Sequence, residues 1–148
     1  MTQTESQTIL NKTGYKLDAQ VGFLLRKANQ RHTAIFAGLI PGDLTPMQLA
    51  AMAKLAEQEE CSQNRLGRLI AIDAATIKGV VDRLAARDLV STRPDVSDRR
   101  RTIVTLTEAG RELCQTAFTA AKKITEATLE PLTKEEQRQL LALLTKIS

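Results

Sequence analysis

The hydrophobic period of the chain changes once, and that change limits the fold more than any other feature. Up to Leu89 the apolar residues recur at helical spacing; from Val90 to Leu106 they alternate, and after Thr107 the helical spacing returns. Val90-Ser91-Thr92-Arg93 and Thr102-Ile103-Val104-Thr105-Leu106 are β-branched and alternating, which suits two strands. Pro94 to Arg100 between them is charged and rich in turn formers. The pair therefore reads as a hairpin with a basic tip. The expected fold is mainly α with one small β-hairpin.

Capping residues divide the helical stretches. Residues 1–14 are polar and read as a flexible lead-in. From Leu17 a stripe runs through Val21, Leu25, Ala28, His32, Ile35/Phe36 and Leu39, and Pro41-Gly42-Asp43 stops it. Thr45-Pro46 is an N-cap followed by proline at the first helical position, opening a helix to about Gln58. A turn around Glu60-Cys61 leads to Ser62, the cap of a short helix carrying Leu66, Leu69 and Ile70. Asp73 caps the next, with Ala74, Ile77, Val81 and Leu84 as its apolar positions. Two short helices joined by a tight turn form a helix-turn-helix, and the basic hairpin follows it. Thr107 caps a long helix to about Thr128 with Leu113, Ala117, Ala121 and Ile124 on one side. Thr133 and Glu136 form a capping box for a last helix bearing Leu140, Leu141, Leu144 and Ile147.

Charge is segregated along the same divisions. Residues 61–107 hold nine Lys/Arg against five Asp/Glu, whereas residues 1–60 and 108–148 each hold six of either sign. The whole net charge of +4 thus lies in the middle third. A basic centre between neutral ends points to an anionic partner, most simply a phosphate backbone; the plainer alternative is a solvated charged surface. No apolar run approaches the roughly 20 residues that span a bilayer, and the first residues lack a signal-peptide core. A cytoplasmic protein without a membrane partner is expected, with Cys61 and Cys114 as free thiols.

Three places carry candidate contacts to double-stranded DNA. On the helix after Asp73, the side opposite Ile77, Val81 and Leu84 has Ala75 and Gly79 at its centre, with Thr76, Lys78, Asp82 and Arg83 around them. Small side chains let a helix approach a groove floor while polar flanks reach bases or phosphates; an ordinary amphipathic helix with one tolerated glycine is the bland alternative. The preceding helix opens with Ser62, Gln63 and Asn64, whose free N–H groups and side chains suit a phosphate; simple capping is the alternative role of Ser62. At the hairpin tip, Asp98 can neutralise and orient one of Arg99, Arg100 and Arg101, leaving another for a minor groove. A solvated charged turn is the alternative there.

Across residues 45–111 the segments LTPMQLAAMAKL, SQNRLGRLIAIDAATIKGVVDRLAARDLV and DRRRTIVTLTEAG resemble, in order, the core of the MarR family of winged helix-turn-helix regulators. One departure is Asp88, where many relatives carry glycine. The resemblance implies a single MarR-type domain over 1–148. In it, 15–40 and 108–148 are dimerisation helices and 45–107 is the DNA-binding lobe. It also implies a homodimer reading a palindromic operator. The stretch YKLDAQVGFLLRKANQRHTAIF resembles the branch that regulates aromatic-acid catabolism, implying a small aromatic acid or phenol as effector. Tyr15, Arg26, Arg31, His32 and Phe36 are the candidates for that site. His32, the only histidine, lies on the apolar stripe, where a lone histidine is more often a satisfied core residue than a ligand contact.

Enzyme motifs are lacking: there is no GxSxG elbow, GxxxxGK loop or HExxH, and one histidine supports few acid–base or metal constellations. No cofactor and no metal are expected, since Cys61, Cys114 and His32 are scattered. Cys61, at a helix start, is the one thiol placed for activation. Two functions compete, a ligand-responsive DNA-binding repressor and a winged-helix protein-interaction module.

Overall fold

The computed structural model describes residues 4–148, in two compact units that divide between Ala34 and Ile35. The first unit contains α1 (Glu5–Thr13), one 3-10 turn at Leu17–Ala19, and most of α2 (Val21–Leu39). The lead-in expected over 1–14 is corrected here, residues 1–3 lying outside the described residues. Gln7 N–H donates to Thr4 Oγ1 at 3.3 Å and Thr4 N–H to Gln7 Oε1 at 3.2 Å, a reciprocal cap that satisfies free donors of the first turn. Gly14, left-handed at φ 67°, closes the other end. The helix expected from Leu17 starts instead at Val21, because Gln20 is extended.

The second unit continues with a 3-10 turn at Pro41–Asp43, α3 (Pro46–Gln58), β1 (Glu60–Ser62), α4 (Gln63–Leu69), α5 (Ala74–Ala86), β2 (Val90–Pro94), β3 (Thr102–Leu106), α6 (Glu108–Leu129) and α7 (Lys134–Ile147). The caps lie where the side chains placed them. Thr45 receives Gln48 N–H at 3.2 Å, Ser62 receives Arg65 N–H at 3.3 Å, Asp73 receives Thr76 N–H at 2.7 Å and Thr133 receives Glu136 N–H at 3.2 Å. Each cap is worth about 1 kcal/mol.

The expected two-stranded hairpin is one part of a three-stranded antiparallel sheet of order β1-β3-β2. The turn expected at Glu60-Cys61 is strand β1, paired Glu60↔Thr105, Cys61↔Val104 and Ser62↔Ile103. That register turns Cys61 into the core with Val104, and leaves Glu60 on the outer face, where Arg93 of β2 reaches it at 2.8 Å. Met52, Leu55, Leu66, Ile77, Val81, Leu84 and Val104 are almost fully buried and join α3, α4, α5 and the sheet in one core. Of the three apolar residues expected on α4 only Leu66 is buried; Leu69 is 38% exposed and Ile70, the C-cap, is half-buried.

The exit of α5 ties the unit together. Asp88 N–H bonds Ala85 O at 3.0 Å and Leu89 N–H bonds Leu84 O at 3.0 Å, with Asp88 left-handed at φ 57°. This is the double hydrogen bond of a Schellman ending, which explains why glycine is usual there. Thr107 then clamps the exit to α6: its hydroxyl donates to Asp88 O at 2.6 Å and accepts Gly110 N–H at 3.0 Å, and its N–H donates to Leu89 O at 3.1 Å. Gly110 packs so closely that a Cβ there would lie 2.0 Å from Leu89 O.

Two substitutions test this clamp in opposite directions. Gly110→Ala forces backbone against backbone, so chemical denaturation should show a loss of about 3 kcal/mol or more, at the upper end of overpacking costs. Asp88→Gly relieves left-handed strain of about 1 kcal/mol, partly offset by the greater freedom of unfolded glycine. A net gain of about 0.5 kcal/mol is expected from it.

Candidate nucleic-acid interface

Helix α5 buries Ile77, Val80, Val81 and Leu84. Ala74, expected among the apolar positions, is exposed; it sits in the first turn, beyond the core, and Val80 fills the stripe. The opposite side presents Ala75, Lys78, Asp82 and Arg83 to solvent, with Thr76 and Gly79 half-buried. Lys78 Nζ pairs with Asp82 at 2.8 Å, one turn apart. Arg83 lies back across Gly79, its Nη1 3.2 Å from where a Cβ would stand. The small stripe thus gives both a low surface and a bed for the guanidinium.

The wing tip is ordered by two aspartates. Asp95 accepts Ser97 N–H and its hydroxyl, each at 3.0 Å, and Asp95 N–H bonds Arg101 O at 3.0 Å. Asp98 holds Arg100 through Nε at 3.1 Å, Nη2 at 3.2 Å and the backbone N–H at 3.1 Å, with Arg101 Nε at 3.9 Å. These bonds, the Arg100 side chain first, hold the Asp98 carboxyl below the usual carboxylate range. As pH falls, the carboxylate therefore stays charged to a lower pH than an ordinary aspartate would. Arg99 is exposed and, among the described residues, has no hydrogen-bond or ion-pair partner. One arginine oriented and another left free is the arrangement expected from the four consecutive charges.

Between wing and α4 lies a cleft of about 270 Å³. Ser62, Gln63, Asn64, Arg65 and Arg68 form one wall; Arg100, Arg101 and Thr102 form the other. The structure thus brings Ser62, Gln63 and Asn64 together with Arg100. It adds Arg101, which the sequence reading grouped with Arg99 and Arg100, and also Arg65 and Arg68, which that reading did not single out. Their signal was available: Arg65 and Arg68 are three residues apart on a helix whose other side is buried.

The effector candidates do not converge in the same way. His32 is half-buried and Phe36, one turn later in α2, is buried, but helical geometry turns Arg31 and Arg26 roughly 100° or more away from His32. Arg26 and Lys27 instead lie over the Phe23 ring, at 5.5 and 5.4 Å from its centroid. Tyr15, before the 3-10 turn, is half exposed. The activated thiol considered at Cys61 is corrected. Cys61 faces the core from β1, and burial raises its pKa against the opposing pull of Arg65 and Arg68. Burial likewise raises that of Cys114.

A helix-turn-helix with a basic antiparallel wing defines a winged-helix DNA-binding protein. The MarR family model matches residues 44–102. The chain is 42% identical over 145 residues to the HTH-type transcriptional repressor NicR of Pseudomonas putida, covering 97% of this chain and 92% of that protein. A probable transcriptional regulator from Pseudomonas aeruginosa superposes with a TM-score of 0.87 at 48% identity, covering 90% of this chain and 100% of the other. BpsR of Bordetella bronchiseptica, whose DNA binding is regulated by 6-hydroxynicotinic acid, gives 0.85 at 41% identity, covering 90% and 96%. The chain belongs to the MarR family of transcriptional regulators, which are DNA-binding proteins and not enzymes. No helix among the described residues is long and apolar enough to cross a membrane.

Gly79 separates stability from recognition in one experiment. Alanine there meets only the flexible end of Arg83 and raises helix propensity, so stability should rise by about 0.5–1 kcal/mol. Affinity for a cognate duplex should nevertheless fall about tenfold, because the helix can no longer approach as closely. A variant that is both more stable and equally tight-binding would remove Gly79 from the interface.

Proposed function

We propose that the protein is a homodimeric repressor that binds a palindromic operator and releases it when a small aromatic acid binds. The single observation that carries this reading is the exposed α5 face centred on Ala75 and Gly79, set beside a wing whose Arg99 is free and whose Arg100 is fixed by Asp98. In this reading Ala75, Thr76, Lys78, Gly79 and Arg83 meet a major groove. Asp98, Arg99 and Arg100 serve the adjacent minor groove, and Ser62, Gln63 and Asn64 meet the backbone.

Dimerisation is supported by apolar surface that one chain leaves uncovered. Helix α7 buries no residue, and Leu141, Leu143 and Ile147 are 49%, 60% and 67% exposed. In the first unit Ile9 and Val21 are 63% and 65% exposed, with Leu24 and Leu25 also exposed. Apolar side chains left in water at this density favour a partner surface, and two-fold pairing of identical chains presents two reading helices to successive major grooves. The paired chains would place 15–40 and 108–148 at the subunit interface.

The effector class rests on likeness to BpsR, and a hydroxylated pyridine carboxylate is the first compound to try. His32 and Phe36 supply a polar group and an aromatic face on one stripe of α2. Arg26, Arg31 and Tyr15 then need the second subunit to complete a carboxylate site. Ligand and operator must favour different dimer states for binding to release DNA.

Three measurements test the reading. Deleting residues 133–148 should convert dimer to monomer or aggregate in sedimentation; a soluble dimer with full affinity would remove α7 from the interface. Arg99→Ala should weaken operator binding and lower the salt slope by about 0.9, the worth of one phosphate contact. Asp98→Ala should also weaken it although net charge becomes more positive, whereas a purely electrostatic wing would bind more tightly. In calorimetry, 6-hydroxynicotinic acid should bind about 5- to 150-fold more weakly to the operator complex than to free protein. His32→Ala should weaken its binding to free protein. Equal ligand affinity with and without operator would show that the compound is no inducer.

A further inference from the structure

Four arginines line the cleft between α4 and the wing, and no acidic side chain among the described residues lines it with them. Arg65 and Arg68 enter from α4, Arg100 and Arg101 from the tip of the wing. Asp98 compensates only the second pair, gripping Arg100 at 3.1 and 3.2 Å and reaching Arg101 at 3.9 Å. Among the described residues neither Arg65 nor Arg68 has a carboxylate within ion-pair distance. Guanidinium groups from two separate elements therefore face one concavity with their charge unbalanced. Converging cations of this kind raise the local anion concentration, and the planar fork of arginine matches the oxygens of a phosphate. Asn64 and Thr102, one on each wall, add neutral polar groups.

We infer that this cleft is a phosphate seat that holds one phosphodiester of the DNA backbone between the helix-turn-helix and the wing. Arg65, Arg68 and Arg101 are its positioning residues. The seat reads no base. It fixes the distance between the element in the major groove and the element in the minor groove, so that both arrive in register on the duplex. The inference rests on the DNA-binding reading given under the proposed function, and it assigns to three arginines a role separate from that of the α5 face.

The test compares wild type, R65A/R68A, R65K/R68K and R101A on an operator duplex and a scrambled duplex of equal length across a series of KCl concentrations. R65A/R68A and R101A should each bind both duplexes about fivefold more weakly near 0.15 M salt, with the salt slope reduced by about 0.9. The ratio of operator to scrambled affinity should be unchanged, which a base-reading role would not leave intact. R65K/R68K should keep most of the slope, since lysine retains the charge, and circular dichroism should show every variant folded. An unchanged slope in R65A/R68A, while Arg99→Ala still weakens binding, overturns the seat and leaves the DNA-binding reading standing. Wild type that binds neither duplex overturns both. Inorganic phosphate replacing chloride at matched ionic strength separates the two sources of the anion. If it protects wild type but not R65A/R68A from thermal unfolding, and the duplex slope of that variant is unchanged, the cleft takes the free anion and the backbone assignment is overturned.

Discussion

Thr107 holds the α5 exit, the sheet and α6 to one another through three hydrogen bonds, and the orientation of the DNA-facing surface depends on it. Its hydroxyl donates to Asp88 O and accepts Gly110 N–H, while its own N–H donates to Leu89 O. One side chain therefore caps α6 and anchors the end of α5 together. Gly110 makes the arrangement possible, because nothing larger than hydrogen fits against the Leu89 carbonyl. The strands pair immediately beyond this point, Val90 with Leu106, so the angle at which the wing leaves the core follows from the clamp. A shift of a few tenths of an ångström here would be carried along the hairpin to Arg99 and Arg100.

Electrostatics supplies the second constraint. Like charges crowded into residues 61–107 would oppose folding if they met in the core, and the fold sends them all outward. Four of the five local carboxylates then have a defined task. Asp73 caps α5, Asp82 pairs with Lys78, Asp95 shapes the turn and Asp98 holds Arg100. Among the described residues Arg65, Arg68, Arg83, Arg87 and Arg99 have no carboxylate partner, and these are exposed. Exposed ion pairs contribute little to stability, so their value lies in aiming side chains that would otherwise wander.

Much of this was legible in the chain because helix caps are local. Thr45, Ser62, Asp73, Thr107 and Thr133 each bond an N–H three residues on, so a short window of sequence contains the whole interaction. The wing was legible through its period of two, and the small stripe of α5 through its spacing. Helix α1 was missed because it buries no side chain and so carries no apolar stripe, although Thr4 and Gln7 form the same local cap. Strand β1 was missed because three residues are too few to show alternation, and its partner β3 lies some forty positions away.

The sequence by itself determined where helices begin, where the period changes, which third of the chain is basic, and to which family the chain belongs. Each of these rests on contacts within a few residues or on the order of short motifs. Only the tertiary structure decided that Cys61 is a buried core thiol whose pKa burial raises. Only the tertiary structure, likewise, brought Arg65 and Arg68 to face Arg100 and Arg101. The physical reason is the same in each case. Burial and the meeting of charges more than thirty residues apart depend on how elements pack, and no window of sequence contains both partners.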